Sequence, residues 1–177
     1  MANDEAVTLR QAIPQDAQAL QRLLQQLGQE TPYLELDVAE LAAPVATLAT
    51  GIARVYDAAN NLLLLALSGE TPIGLVRVQT ADTVQQQYSG EVGIAILKDY
   101  WGLGLGQILL SEMLAWAQDT ALVRLALTVQ TRNQQARHLY EKLGFKTEGI
   151  LEQAIYDPQA GLQDVAAMAY LLKREHA

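Results

Sequence analysis

The chain contains no cysteine, so a disulfide, a thiolate nucleophile and a zinc–thiolate centre are all excluded. Histidine is nearly absent: His138 and His176 are the only two and lie far apart in sequence. A histidine-based metal site is therefore not expected, and a serine triad would have to recruit His138 although no nucleophile-elbow motif surrounds any serine. No apolar run approaches the roughly 18 residues needed to span a bilayer. The N-terminal residues Met-Ala-Asn-Asp-Glu-Ala lack the basic-then-apolar plan of a signal peptide. Basic residues are scarce, with 12 Lys and Arg against 20 Asp and Glu and a formal net charge of −8. Nucleic-acid binding, which needs a basic face to displace counterions, is not expected. These features imply a cytoplasmic protein with no membrane partner.

What is present is apolar material in quantity. Half of the 177 residues are hydrophobic and only 18% are charged, which suits one folded domain over 1–177 with a substantial core. Residues 1–60 carry eight acids (Asp4, Glu5, Asp16, Glu30, Glu35, Asp37, Glu40, Asp57) against Arg10, Arg22 and Arg54. They form either a solvated surface or a mouth that attracts a cation.

Periodicity and turn residues give the element order β-α-α-β-β-β-α-β-α-β-β. A strand over 7–12 precedes a helix that starts at Pro14 and ends near Gly28, with Ala17, Leu20, Leu23, Leu24 and Leu27 on its apolar stripe. Residues 31–43 read as irregular and 45–57 as a helix. Strands follow at 62–67, 73–79 and 90–97. A helix over 105–118 places Leu105, Ile108, Leu109, Met113 and Trp116 or Ala117 on one side. After a strand at 122–129, a helix over 134–143 aligns Ala136, Leu139, Tyr140 and Leu143. Gly144 is positioned to end it in the left-handed conformation, with Phe145 packing back. Strands at 146–153 and 165–172 close the chain across Asp157-Pro-Gln-Ala-Gly161. An antiparallel run followed by strands flanking a helix is α+β, mixed-sheet architecture.

One segment stands out chemically. Asp99-Tyr-Trp-Gly-Leu-Gly-Leu-Gly106 lies between a strand and an amphipathic helix. Glycines at 102, 104 and 106 let backbone approach a bulky anion, and the following helix points unpaired N–H groups and its positive dipole end at the same place. This suits a pyrophosphate. The dinucleotide fingerprint Gly-x-Gly-x-x-Gly does not fit, because Gln107 or Leu109 stands where its third glycine belongs, and no Gly-Lys-Ser/Thr is present.

The glycine loop, the strand after its helix, and the run Asn133-x-x-Ala136-x-x-x-Tyr140-x-x-x-Gly144-Phe145 together resemble the GNAT N-acetyltransferase superfamily over about residues 62–172. The stretch from Leu143-Gly-Phe-Lys-Thr-Glu-Gly149 through Asp164 and Met168 is similar to the branch holding ribosomal-protein N-terminal and small-amine acetyltransferases. The resemblance implies a V-shaped mixed sheet of about seven strands flanked by about four helices. It implies acetyl-CoA, as co-substrate, where the strands at 90–97 and 122–129 splay apart. Backbone N–H groups of Leu103, Gly104, Leu105, Gly106 and Gln107 would hold the pyrophosphate. Strand amides near Ile94–Leu97, including Ile96 and Leu97, would polarise the acetyl carbonyl. Asn133 would lie beside the pantetheine arm, and the same residue reads as a helix N-cap. The family usually has Gln or Arg three residues before the glycine at 104, where this chain has Trp101. Lys98, Arg132 and Arg137 are the nearest bases in sequence.

Acetyl transfer to an amine requires a deprotonated amine, a held carbonyl, donors for a tetrahedral oxyanion and a proton for the departing thiolate. Tyr140 suits the last task, since a phenol is protonated at neutral pH; otherwise it is a core tyrosine. Glu91 is the candidate base; otherwise it is an exposed strand-end carboxylate. The implied function is direct transfer from acetyl-CoA to a peptide N-terminus or a small amine, without a metal. A homodimer is allowed for. Residues 32–40, 80–90 and 153–164 would meet the acceptor, with Tyr33, Glu35, Asp37 and Glu40 available to an ammonium group. The competing function is a non-catalytic acyl-CoA-binding sensor or interaction module.

Overall fold

A computed structural model describes residues 6–34 and 41–172. Asp4, Glu5, Glu35, Asp37, Glu40 and His176 lie outside the described residues. The strands are β1 (Val7–Gln11), β2 (Leu62–Ser68), β3 (Thr71–Thr80), β4 (Ser89–Ile96), β5 (Arg124–Gln130), β6 (Lys146–Asp157) and β7 (Gly161–Leu171). The helices are α1 (Ala17–Glu30), α2 (Val45–Asp57), α3 (Leu105–Gln118) and α4 (Gln134–Leu143). They build the expected α+β fold with one seven-stranded sheet in the order β1-β2-β3-β4-β5-β7-β6. No helix among the described residues is long and apolar enough to cross a membrane.

The near-continuous apolar run of β2 and the buried Ile73, Leu75, Val76 and Val78 of β3 place these strands in the middle of the core. Every neighbouring pair is antiparallel except β4–β5. That parallel pair is short: its register covers only Ser89↔Arg124, Gly90↔Leu125 and Glu91↔Ala126. Beyond Glu91 and Ala126 both strands continue, to Ile96 and Gln130, without pairing to each other. This is the V expected from the resemblance.

Several local expectations need correction. A 3-10 turn at Pro14–Asp16 precedes α1, which runs past Gly28 to Glu30. Gln26 donates to Glu30 one turn later at 2.8 Å, and this i,i+4 link supports the extra residues. Ile108 is 51% exposed, so the buried stripe of α3 is Leu105, Leu109, Leu110, Met113 and Ala117. Strands β6 and β7 are longer than their sequence patterns suggest, because cross-strand pairs such as Ile155↔Gln163 extend the hairpin to the Asp157–Gly161 turn.

The start of α1 is fastened to β1. Arg10 donates to both carboxylate oxygens of Asp16, at 2.7 and 2.9 Å, and the Ile13 N–H donates to the same carboxylate at 2.8 Å. The hydrogen bond from Arg10 holds the Asp16 carboxyl below the ordinary aspartate value. Its contribution to stability is present above that ordinary value and drains away as pH falls through the lowered one.

Candidate active site

The unpaired ends of β4 and β5 open onto a cavity of about 520 Å³. Glu91, Gly93 and Ile96 of β4, the glycine loop, the first turn of α3, and Asn133, Ala136, Leu139 and Tyr140 at α4 all line it. Tyr33 and Leu34, following α1, close another side.

The three loop glycines do different jobs. Gly102 and Gly104 have φ of +74° and +80°, with nothing within 4 Å of a notional Cβ. They are needed for conformation, not for space. Gly106 is the reverse case: a Cβ there would meet Leu139 Cδ2 at 3.1 Å and Ile96 Cδ1 at 3.5 Å, so it permits α3 to pack closely on α4 and β4. Gly104 caps α3 with no side-chain hydrogen bond, and the first helical bond runs from the Ile108 N–H to the Gly104 carbonyl at 3.1 Å. The N–H groups of Leu105, Gly106 and Gln107 are thus the unsatisfied donors of the helix start, and all three residues line the cavity. Leu103 does not line it. Its side chain, 64% exposed, joins Val7, Leu9, Tyr100 and Ile108 around a separate small cleft.

Register decides which amides of β4 face the opening. In an antiparallel ladder, alternate residues direct both backbone groups at the same neighbour. The Leu97 N–H donates to the Ile73 carbonyl at 2.9 Å, one step beyond the Gly74↔Ile96 pair. Leu97, Ala95 and Gly93 therefore spend their amides on β3, while Ile94 and Ile96 direct theirs toward the cleft. Leu97, expected among the cofactor contacts, has its amide occupied and its side chain buried.

Trp101, the departure from the family pattern, donates its indole N–H to the Ile96 carbonyl at 2.7 Å and lines the cavity. It ties the loop to the end of β4. Lys98, Arg132 and Arg137 do not line the cavity. Lys142 was not anticipated; its ammonium donates to the Gln107 side chain at 3.0 Å and stands beside the helix start. Asn133 accepts from the Ala136 N–H at 3.3 Å as N-cap, and it also lines the cavity.

Tyr140 is buried on α4, its ring centroid 5.9 Å from that of Phe145. Gly144 ends α4 with φ +104°, and the Phe145 N–H donates to the Tyr140 carbonyl at 3.0 Å. Burial pushes the Tyr140 hydroxyl up to about 12. Glu91 is exposed at the point where β4 and β5 part.

A polar strap crosses the opposite rim. Arg132 pairs with the buried Asp157, donates to Gln130 Oε1 at 2.8 Å and lies over the Tyr33 ring at 5.4 Å, while Gln130 donates to the Pro32 carbonyl at 3.3 Å. The hydrogen bond from Arg132, with another from the Gln159 N–H, holds the Asp157 carboxyl below its ordinary value.

Comparisons with known proteins agree with this architecture. The profile of the Acetyltransferase (GNAT) family matches residues 18–145. A GNAT-family acetyltransferase from Streptococcus pneumoniae superposes with a TM-score of 0.90 at 34% identity, covering 94% of this chain and 100% of that one. The ribosomal protein bS18-alanine N-acetyltransferase of Haemophilus influenzae is 35% identical over 79 residues, which is 45% of this chain and 53% of that protein. The chain therefore spans about half the length of that curated relative. YncA of Salmonella typhimurium, solved with its cofactor acetyl-CoA, shares the fold at a TM-score of 0.84 and 17% identity, over 97% of each chain. The chain belongs to the GNAT acetyltransferase family.

Proposed function

We propose that this protein is a single-domain N-acetyltransferase that moves an acetyl group from acetyl-CoA to a primary amine. The observation that carries this is the convergence, on one cleft, of an unpaired helix start, unpaired strand amides and a buried neutral phenol. The amides of Leu105, Gly106 and Gln107 receive the pyrophosphate, helped by the dipole of α3. Asn133 and Ala136 flank the path of the pantetheine arm. The amides of Ile94 and Ile96 hold the acetyl carbonyl and donate to its oxygen as negative charge develops there.

Glu91 takes a proton from the acceptor ammonium, directly or through one water. The amine nitrogen then bonds to the carbonyl carbon through a tetrahedral intermediate, and the carbon–sulfur bond breaks. Tyr140 gives its proton to the departing thiolate, and the second proton, shed by the newly acylated nitrogen, returns to the phenolate directly or through water. Burial keeps the phenol protonated across the neutral range, so Tyr140 enters the reaction as donor and not as base.

Amine-dependent CoA release tests this function. With acetyl-CoA saturating, pools of amino acids, polyamines, aminoglycosides and N-terminal peptides are offered in turn. Release with at least one pool is expected, rising with pH as the acceptor amine deprotonates. Saturable acetyl-CoA binding with no release from any pool would instead mark a binding module.

A further inference from the structure

Among the described residues that line the cavity, Arg77 is the only arginine or lysine and Glu91 the only carboxylate. They share one face of the sheet. β3 and β4 pair Arg77 with Gly93 and Gln79 with Glu91, so Arg77 and Glu91 are diagonal cross-strand neighbours, a relation that typically separates residues by about 7–8 Å, and their Cβ atoms by somewhat less. A Cβ on Gly93 would meet Arg77 Nε at 3.1 Å and Cγ at 3.3 Å. The arginine thus lies flat across Gly93, on the strand that carries Glu91. Ile96, whose Cδ1 would approach a Cβ on Gly106 of α3, alternates to the other face.

Neither Arg77 nor Glu91 makes a side-chain hydrogen bond or an ion pair among the described residues. Arg22, Arg54 and Arg137 likewise have no ion pair among the described residues; what sets Arg77 apart is that it lines the cavity beside Glu91. A cation and an anion side by side, not spent on one another, complement a ligand with the opposite pair. The guanidinium fork matches a carboxylate in two-point geometry.

We propose that the acceptor is a free amino acid, with its carboxylate received by Arg77 and its amine facing Glu91. This rests on the transferase function proposed above and narrows its acceptor. A peptide N-terminus bears an amide where an amino acid bears the carboxylate, and so offers Arg77 no anion. A polyamine would set a second cation against it.

The test compares CoA release with L-amino acids and with their amides. The amide amine is the less basic of the two, so intrinsic reactivity at neutral pH favours the amide, and any preference for the acid belongs to the protein. The wild type is expected to favour the acid by about ten- to a hundredfold in kcat/KM, the scale of a charge-assisted pair. Arg77→Gln should bring the acid-to-amide ratio down to one or below. Gly93→Ala should lower it as well, because the added methyl displaces the arginine. A wild-type ratio near one, or an unchanged ratio in Arg77→Gln, would overturn the assignment of Arg77 while leaving the transferase function standing. If no amine releases CoA from enzyme that binds acetyl-CoA, the transferase function itself has failed, and this assignment falls with it.

Discussion

Gly104→Val is expected to weaken acetyl-CoA binding by at least about a hundredfold, whereas Gly104→Asn should stay within a few-fold of wild type. Space does not separate the two, since nothing lies within 4 Å of a Cβ at this position. Conformation does. Gly104 has φ +80° as the N-cap of α3, a region closed to β-branched residues and tolerated by asparagine. Valine must rotate the peptide that presents the Leu105 N–H and disturb the donors at Gly106 and Gln107. A hydrogen bond to a charged partner is worth about 1.5–3 kcal/mol, so losing two reaches the expected factor. Calorimetric titration with acetyl-CoA reads both variants. Wild-type affinity in the valine variant would remove the loop from the pyrophosphate site.

Tyr140→Phe should lower kcat by about 10²- to 10⁴-fold, the usual range for a positioned acid, and leave acetyl-CoA affinity nearly unchanged. The ring stays, and with it the contact to Phe145, so stability at neutral pH is retained. The pH behaviour sharpens the test. With the hydroxyl pushed up to about 12 by burial, the wild-type rate should show no alkaline fall from Tyr140 until pH nears that value. The same shift has a stability counterpart. The phenol's contribution is complete below the ordinary tyrosine pKa of about 10 and is lost as pH rises through the raised value. A Tyr140→Phe enzyme that turns over at full speed would reduce Tyr140 to a packing residue.

Local signals made some elements legible. Helices α3 and α4 run over the expected residues because each has its own punctuation: Gly104 before one, Asn133 and Gly144 around the other. The order of strands and helices was readable for the same reason. What the sequence concealed depends on register. The occupied amide of Leu97 follows from its bond to Ile73, more than twenty residues away. Arg77 looked like an ordinary strand residue until pairing set it opposite Gly93, and Lys142 meets Gln107 only because α4 packs on α3. Leu103 belonged to the right loop, but its side chain turns to another surface. The extra length of β6 and β7 likewise comes from each other and not from their own patterns. Position along one element was visible; contact between elements was not.

The short parallel ladder between β4 and β5 also sets a pattern of solvent exchange. Amide hydrogens bonded across a strand pair exchange only when the pair opens, whereas amides facing an open cleft need no such event. Along β4, the protons of Ile94 and Ile96 should therefore exchange much faster than those of Ala95 and Leu97, giving a sawtooth within one strand. Acetyl-CoA should erase the sawtooth by slowing only the fast pair. On the proposed function, an unpaired stretch of sheet is a reserve of donors that the fold withholds from itself and keeps for the substrate.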